Sequence, residues 1–339
     1  MQRNRQIILK SHVQGIPKES DFAIIEGGIP DLANGEFLIQ NLYFSLEPAI
    51  RGWLEGKEAY FPPIPINGVV RGPTVGRVIT SNNAHFHEGD IVFALNRWED
   101  FSVCDDNTIL LEKLTIHGNT PLSYYVGPLG GSGTTAYVGL HEIGHISSGQ
   151  TVVVSAAAGA TGSMVGQIAK LRGCKVIGIV GSDEKANSIV NELGMDAAIN
   201  YKTCPDLASA VLELAPENVD VYFDNVGGPI LDAMLTTMKI QGRIICCGMI
   251  SDYNRTDNPN PITNLWQVVA KQLTMKGFLL HYYHNEIPAA RKQLATWIAD
   301  GKITVSEDIT TGIAQTPAAF RRLMSGSTSG KALVEIDLV

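Results

Sequence analysis

The chain has 339 residues, of which 45% are hydrophobic and 18% are charged, enough material for about two domains with buried cores. Its formal net charge of -8 argues against a general nucleic-acid-binding protein, because such proteins need a basic surface to neutralise phosphates. No apolar run approaches the roughly 18 residues of a membrane span, and the polar start from Met1 to Lys10 lacks a secretory signal.

The first ~120 residues have the short apolar or alternating runs that are typical of β-strands. Clusters of Gly, Pro and Asn separate these runs, as expected for turns between strands. The predicted strands cover residues 6–9, 36–42, 76–80 and 90–95. The pattern predicts an irregular small barrel or sandwich.

From about Pro121 strands and helices alternate, which predicts a parallel sheet with helices on both faces, the doubly wound Rossmann arrangement. Several of these strands are continuously apolar, as expected when both faces of a sheet are covered. The predicted strands are residues 151–155, 175–180, 197–199, 219–223, 243–247 and 274–280. The predicted helices are residues 161–172, 183–193, 206–214, 229–238, 264–271 and 287–299.

After Gly301 the chain becomes β-rich again, with predicted strands at 303–309 and 332–336 and a helix at 317–324. A β-rich tail after a nucleotide-type domain indicates that the tail completes the first domain. The predicted domains are therefore residues 1–124 with 301–339, and residues 125–300.

A glycine loop follows the first strand of the alternating region. Ala157 to Gly162 fit A-x-G-x-x-G, in which Gly159 permits close approach to a pyrophosphate and Gly162 permits close packing of helix and strand. The helix that follows presents unpaired N–H groups and a partial positive charge to phosphates. The alternative is a glycine turn that serves packing alone.

The end of the second strand in this region indicates which dinucleotide binds. NAD sites carry an Asp or Glu about 20 residues after the loop, whereas this strand ends in Gly181 and Ser182. Gly181 leaves space for a 2′-phosphate, Lys185 would neutralise it, and Tyr201 would add a hydroxyl donor. The sequence therefore favours NADP over NAD.

Two further patterns bear on metals and on cellular location. His141 and His145 match H-E-x-x-H, but Gly144 predicts a helix end that removes the i, i+4 geometry of a zinc site. The five cysteines form no C-x-x-C pair and no metal-ligand spacing, so we expect reduced thiols and a cytoplasmic protein without a bound metal.

Several segments resemble the zinc-independent medium-chain dehydrogenase/reductases, in particular the prostaglandin, leukotriene and alkenal reductases. The two most specific are AAAGATGSMVGQIAKLRGCKVIGIVGSDEK at 156–185 and CGMISDYN at 247–254. Supporting segments are VRGPTVGRV at 70–78, TAYVGL at 135–140, INYKT at 199–203, YFDNVGG at 222–228 and GKALVEI at 330–336. The resemblance covers nearly the whole chain.

The resemblance implies a Rossmann domain and a β-rich, GroES-like catalytic domain built from both chain ends, usually in a homodimer. It implies that NADPH binds along a set of residues that includes the candidate catalytic tyrosine, Tyr253. The implied contacts are Gly159, Ala160, Thr161, Gly162, Ser163, Gly181, Ser182, Lys185, Tyr201, Asn225, Cys247, Gly248, Met249, Tyr253, Phe278, Leu279 and Leu280.

The chain departs from the family pattern in two places. Near Ala49 and Arg51, which the resemblance assigns to the substrate pocket, relatives often carry a tyrosine where Ala49 stands. Near the C-terminus, Thr328 and Ser329 precede the Gly-Lys pair where relatives often have Asn, and these hydroxyls would meet the cofactor instead.

The implied reaction is reduction of the carbon–carbon double bond of an α,β-unsaturated ketone or aldehyde, in a cleft between the two domains. Hydride goes to the β-carbon, and Tyr253 with a ribose hydroxyl stabilises the resulting enolate. Two alternatives stay open: reduction of quinones or carbonyls on the same fold, and NADPH binding without catalysis. A metalloprotease is the least favoured of the functions considered.

Overall fold

A computed structural model describes residues 3–57 and 60–337 of the chain. It divides the chain into two compact units. Unit 1 comprises Met1–Gly127 with Glu307–Val339, and unit 2 comprises Pro128–Ser306. These divisions lie three and six residues after the predicted boundaries at 124/125 and 300/301.

The strands of the described residues are, in chain order, β1 (Arg3–Leu9), β2 (Phe22–Gly28), β3 (Phe37–Ser45), β4 (Arg71–Ser81), β5 (Ile91–Arg97), β6 (Phe101–Cys104), β7 (Glu112–Lys113), β8 (Thr151–Ser155), β9 (Lys175–Val180), β10 (Ala197–Asn200), β11 (Val219–Asp224), β12 (Met238–Cys246), β13 (Thr274–Gly277), β14 (Glu307–Thr311) and β15 (Lys331–Glu335). The α-helices are α1 (Ile50–Trp53), α2 (Gly131–Val138), α3 (Ala160–Leu171), α4 (Asp183–Asn191), α5 (Leu207–Leu214), α6 (Gly228–Thr237), α7 (Ile250–Tyr253), α8 (Trp266–Ala270), α9 (Ile287–Ala299) and α10 (Thr316–Met324). No helix in these residues is long and apolar enough to cross a membrane.

Unit 1 is built on a mixed sheet with the strand order β14-β15-β3-β4-β5-β7, and β6 pairs with β3 beside it. The N-terminal strands β1 and β2 form a separate antiparallel pair. The C-terminal strand β15 pairs antiparallel with β3, with Leu333 opposite Ser45. This pairing confirms that the C-terminal tail completes the β-rich first unit.

One predicted strand begins later than its sequence suggested. Residues 303–306 are not part of β14, which begins at Glu307. The backbone of Thr304 instead bonds the side chain of Gln167 on α3, with its N–H 2.7 Å from Oε1 and its carbonyl 3.1 Å from Nε2. A side chain satisfies the backbone groups that a strand partner would otherwise pair, so this segment belongs to unit 2.

Unit 2 contains a sheet of six parallel strands in the order β10-β9-β8-β11-β12-β13. The chain order reverses between β8 and β11, which is the doubly wound arrangement that the sequence predicted. The central strand β8 carries three consecutive fully buried valines, Val152 to Val154. Helices cover both faces of such strands, which explains their unbroken apolar sequence.

Candidate functional site

The predicted dinucleotide residues of unit 2 all follow the carboxyl ends of strands in one parallel sheet. The glycine loop follows β8, Gly181 to Lys185 follow β9, and Tyr201 follows β10. On the other side of the β8–β11 reversal, Asn225 follows β11 and the segments 247–253 and 278–280 follow β12 and β13. Ligands of open α/β sheets bind at this edge, beside the point where the strand order reverses.

The glycine loop is a tight turn between β8 and α3. Ala156 has a φ of 50°, a conformation uncommon for residues with a side chain, and its carbonyl accepts the N–H of Gly159 at 2.9 Å. A Cβ on Gly162 would lie 2.2 Å from that carbonyl oxygen. The first N–H groups of α3 lack partners within the helix. They therefore form the anion-binding end that a pyrophosphate requires.

The turn after β9 begins at Gly181, where an acidic residue would stand in an NAD site. A Cβ built on Gly181 would lie 3.3 Å from both Lys202 Cε and Tyr201 Cε1. Tyr201 and Lys202 thus occupy the space beside this glycine, and a longer side chain would have to displace them. Ser182 caps α4, because its side chain accepts the N–H of Lys185 at 3.3 Å.

Two lysines contribute positive charge beside Gly181. The sequence predicted a role for Lys185 but not for Lys202. Burial and the nearby charge of Lys202 lower the pKa of Lys185 below its ordinary value. A dianionic group between the two ammonium groups would remove this repulsion. Lys202 directly follows Tyr201 at the end of β10, but a lysine after a strand has no distinctive spacing that would mark it as a phosphate ligand. The hydrogen-bond donors of Lys185, Tyr201 and Lys202 together fit a 2′-phosphate.

A buried carboxylate organises the other half of the site. Asp224, at the end of β11, is 1% exposed. Its Oδ1 accepts the hydroxyl of Tyr222 at 2.7 Å and the N–H groups of Val226 and Gly227 at 3.0 and 2.9 Å. Burial raises the pKa of Asp224, although these hydrogen bonds act in the opposite direction. Asp224 lies within the YFDNVGG segment at 222–228, but the sequence alone predicted no role for it.

Asn225 is held in place by the end of β8. Its backbone N–H donates to Ser155 Oγ at 2.9 Å, and its Nδ2 donates to the Ser155 carbonyl at 2.8 Å. Ser155 Oγ also lies 3.3 Å from Asp224 Oδ1. No described group donates to the amide oxygen of Asn225, so this oxygen can accept a hydrogen bond from a ligand.

The loop after β12 is bonded to the loop after β11. The N–H groups of Cys247 and Gly248 donate to the Asp224 carbonyl at 2.8 and 3.1 Å. A Cβ on Gly248 would lie 3.2 Å from the Asn225 carbonyl oxygen and 3.4 Å from the hydroxyl oxygen of Tyr253. Gly248 therefore brings the predicted catalytic tyrosine close to Asn225.

Tyr253 is the last residue of the short helix α7 and is partly exposed. Its hydroxyl oxygen accepts the N–H of Met249 at 3.2 Å. Burial raises the pKa of Tyr253, so the phenol keeps its proton at neutral pH. Within the described residues no acceptor binds that proton, and the hydroxyl can donate it to a ligand oxygen.

The neighbouring thiols have no nucleophilic role in this arrangement. Burial raises the pKa of Cys247 to about 12 and that of Cys246 to about 11. The reactive form of cysteine is the thiolate, and these groups stay protonated at neutral pH.

In the segment after β13, Phe278 packs its ring against Gly139. A Cβ built on Gly139 would lie 3.0 Å from Phe278 Cζ. Leu279 and Leu280 are partly exposed beside it.

The remaining predicted site residues lie in unit 1. Ala49 precedes α1, and the 1% exposed Arg51 donates to Glu55 Oε1 at 2.8 Å and to the Gly15 carbonyl at 3.0 Å. These bonds fix α1 within unit 1, and contact of Ala49 or Arg51 with substrate stays a prediction.

Thr328 is buried and Ser329 is exposed, shortly before β15. The next strand residue, Lys331, places its ammonium 3.5 Å from Glu47 Oε1. The predicted cofactor segment and the predicted substrate segment of unit 1 are therefore neighbours. Contact of Thr328 or Ser329 with a cofactor stays a prediction.

The H-E-x-x-H segment adopts the geometry that the sequence predicted. The helical run ends at Ile143, and His145 has a φ of 42°. His141 stacks on Tyr137 at 4.1 Å and bonds the Tyr137 carbonyl through Nδ1 at 2.9 Å. Across residues 3–57 and 60–337, no group of three or more His, Cys, Asp or Glu side chains is placed to hold a metal ion.

Comparisons with known proteins place the chain among oxidoreductases over nearly its whole length. Residues 5–111 match a family described as the N-terminal domain of oxidoreductase, and residues 160–296 match one described as zinc-binding dehydrogenase. The chain is 40% identical to a 2-alkenal reductase (NADP(+)-dependent) of Nicotiana tabacum, over 98% of both proteins. It is 41% identical to prostaglandin reductase 1 of Bos taurus, over 96% of this chain and 97% of that protein.

A solved structure of a related protein also resembles this chain over its length. CurA from Vibrio vulnificus, in complex with NADPH, superimposes with a TM-score of 0.91 at 37% identity. The match covers 99% of this chain and 100% of that chain.

Two glycines of α3 provide a matched test of the glycine loop. Gly162→Ala would place Cβ 2.2 Å from a backbone oxygen, whereas Gly166→Ala would place it 2.1 Å from the flexible end of Met195. Because backbone cannot move aside easily, we expect Gly162→Ala to lower the free energy of unfolding by about 1–3 kcal/mol. Gly166→Ala should cost less, since Met adapts and alanine favours helix by about 1 kcal/mol. Urea unfolding measures both, and equal stabilities would contradict this account of the loop.

Proposed function

The chain belongs to the zinc-independent medium-chain dehydrogenase/reductase family, and we propose that it reduces the carbon–carbon double bond of α,β-unsaturated ketones and aldehydes. It is an NADP-dependent oxidoreductase. The observation that carries the proposal is the Tyr253 hydroxyl, whose proton has no acceptor among the described residues and which lies beside Gly248 and Asn225. The exact substrate is part of the proposal.

The residues at the carboxyl edge of the sheet fit NADP(H). The N-terminus of α3 would hold the pyrophosphate, and Lys185, Tyr201 and Lys202 would hold the 2′-phosphate. Asn225 and the segments 247–253 and 278–280 would hold the nicotinamide half. When bound, NADPH supplies a hydride equivalent to the substrate.

The protein's own contribution is to position the substrate and to stabilise developing charge. Reduction at the β-carbon places negative charge on the substrate carbonyl oxygen, as an enolate. Tyr253 donates a hydrogen bond to this oxygen, because its raised pKa keeps the phenol protonated. The N–H of Met249 holds the hydroxyl oxygen in place at 3.2 Å. We propose that solvent delivers the final proton to the α-carbon.

Reduction of quinones or carbonyls and binding without catalysis are the two alternatives. They differ from the proposed reaction in the product, which is a hydroquinone, an alcohol or no product at all. A screen of NADPH oxidation with enals, enones and quinones, followed by identification of the products, separates all three.

We also propose a cytoplasmic location, which is supported by five cysteines that form no disulfide. The net charge of -8 supports a small-molecule substrate over a nucleic acid.

The NADPH preference is tested at the two lysines. Because a hydrogen bond to a charged group contributes about 1.5–3 kcal/mol, Lys185→Ala should weaken NADPH binding about 10- to 150-fold. Lys202→Ala should weaken it less, since this lysine is exposed. Neither substitution should change NADH binding, and the exposed Lys292→Ala on α9 serves as the control. Calorimetric titration measures both cofactors, and equal affinity of the unmutated protein for NADPH and NADH would refute the preference.

The role of Tyr253 is tested with Tyr253→Phe, which removes the hydroxyl and keeps the ring. Loss of one such donor costs on the order of 10²–10³ in rate, and we expect the lower end because a ribose hydroxyl of the cofactor shares the task. NADPH binding should stay near normal, and the product should be the saturated carbonyl. Tyr282→Phe, at a residue 74% exposed, is the control. Full activity of Tyr253→Phe would show that the tyrosine has only a structural role. An allylic alcohol as the product would refute the enolate mechanism.

We propose further that the protein is a homodimer joined through the β13 side of unit 2. The strand β13 is an edge of its sheet. In the preceding helix α8 and the residue before it, the side chains of Leu265, Trp266 and Val269 are 56%, 70% and 62% exposed. Exposed apolar side chains beside an open strand edge favour association with a second copy. Light scattering should give twice the chain mass, and Trp266→Glu should shift it toward the monomer. A monomeric mass for the unmutated protein would contradict the proposal.

A further inference from the structure

Tyr253 is carried by a helix that is too short to hold its own orientation. The four residues of α7 are far fewer than the about 12–15 at which an isolated helix becomes stable in water. The start of α7 is bonded to the loop after β11, since its first two N–H groups donate to the carbonyls of Asn225 and Val226 at 3.3 and 3.1 Å. The direction of the tyrosine therefore depends on what holds the end of α7, beginning with Asp252.

Asp252 is bonded to a residue eight positions further along the chain. Its Oδ1 accepts the backbone N–H of Asn260 at 3.2 Å and the side-chain Nδ2 of Asn260 at 2.5 Å. The Oδ1 of Asn260 in turn accepts Arg255 Nη1 at 3.0 Å, and Arg255 Nε donates to the Asn258 carbonyl at 2.9 Å. These bonds close residues 252–260, the clamp loop, into a ring that contains Tyr253.

The clamp loop is seated on the start of α6. Asn260 packs against Gly228, the first residue of that helix. A Cβ built on Gly228 would lie 3.0 Å from Asn260 Nδ2 and 2.7 Å from Ser251 Oγ. Gly228 also has a φ of 52°, which glycine adopts without strain. The loop is thus held against a helix of unit 2 at a point where no side chain intervenes.

Asp252 and Tyr253 leave α7 in different directions. Successive residues of an α-helix are rotated by about 100°. The Tyr253 hydroxyl returns to the Met249 N–H at 3.2 Å, whereas Asp252 reaches Asn260. Because the two side chains share one turn of backbone, anchoring the carboxylate fixes the rotation of the helix and with it the direction of the phenol.

One oxygen of Asp252 makes this residue costly. Its Oδ2 is buried and has no hydrogen-bond partner among the described residues. A buried acceptor without a partner lowers the stability of the folded state, so stability alone does not account for a carboxylate here. A role in holding the neighbouring Tyr253 does account for it.

We propose that the clamp loop positions the Tyr253 hydroxyl for its bond to the enolate oxygen. The positioning residues are Asp252, Asn260 and Arg255. The proposal rests on the proposed function, since these residues act through the tyrosine of that same reaction. A donor must already be in place when the charge develops, and a displacement of about 1 Å can cost about 10²-fold in rate. Loosening the clamp loop should therefore lower kcat.

The main test is a double-mutant cycle between Asn260→Leu and Tyr253→Phe. Asn260→Leu removes the side-chain bonds to Asp252 and Arg255, and it should lower kcat for enone reduction roughly 10-fold, less than Tyr253→Phe does. When Tyr253→Phe is already present, no hydroxyl is left to position, and the same substitution should change kcat less than about 2-fold. KM for NADPH should stay near normal. Thr256→Leu, at an exposed position of the same loop, is the control.

Two results of the cycle would overturn the positioning role. One is an unchanged kcat in Asn260→Leu. The other is an equal loss of kcat with and without the Tyr253 hydroxyl, because Asn260 would then act independently of the tyrosine. Neither result touches the proposed function, which the loss of rate in Tyr253→Phe alone tests.

Further variants decide the question if Asn260→Leu does not fold. Arg255→Leu changes a side chain that is 33% exposed, and it should lower kcat by a smaller factor that again disappears in the Tyr253→Phe background. Asp252→Asn keeps an acceptor oxygen for Asn260, so it should retain more activity than Asp252→Ala. Equal losses in the two Asp252 variants, or an Arg255→Leu effect that persists without the hydroxyl, would overturn the proposal.

Hydrogen exchange separates the two proposals without turnover. The N–H of Met249 donates to the Tyr253 hydroxyl, so displacement of the phenol in Asn260→Leu should speed exchange of this amide while the amides of β8 keep their protection. Faster exchange in a protein that reduces no enone would support the positioning role and refute the proposed function. Enone reduction that Tyr253→Phe lowers, with unchanged Met249 exchange in Asn260→Leu, would support the proposed function and overturn the positioning role.

Discussion

The hydrogen bonds of the buried Asp224 carboxylate are the interaction on which the proposed nicotinamide side of the site depends. One oxygen of this group binds a tyrosine hydroxyl and two backbone N–H groups, and its backbone carbonyl binds two more N–H groups from the loop after β12. Ser155, at the end of β8, connects the same oxygen to Asn225. Since a buried charge is tolerated only when it is hydrogen-bonded, the carboxylate and the three strand ends stabilise one another.

The chain is acidic overall, yet its candidate binding groups are basic. Lys185 and Lys202 lie together at Gly181, where burial and the neighbouring charge of Lys202 lower the pKa of Lys185. A local pair of this kind attracts a single anionic group, whereas the net charge of -8 discourages polyanions.

Much of the site could be predicted because strand ends of a parallel sheet share one edge. The glycine loop, Gly181 and Tyr201 each follow a recognisable strand, so their convergence was expected from the topology. Lys202 and Asp224 were not assigned roles, since a lysine after a strand and an acid within a motif have no distinctive spacing. Their importance follows from the charge of Lys202 near Lys185 and from the contacts of Asp224 with Tyr222 and Ser155, which sequence order does not contain.

The sequence by itself determined the alternation of strands and helices, the glycine loop, the lack of an acid at Gly181 and the helix end before His145. These features are local, because periodicity, turn residues and caps act over a few neighbouring positions. Only the tertiary structure decided that the backbone of Thr304 bonds Gln167 instead of joining β14, and that Ser155 at the end of β8 lies beside Asp224 at the end of β11. Both depend on strand register and side-chain partners from distant parts of the chain, which long-range packing selects.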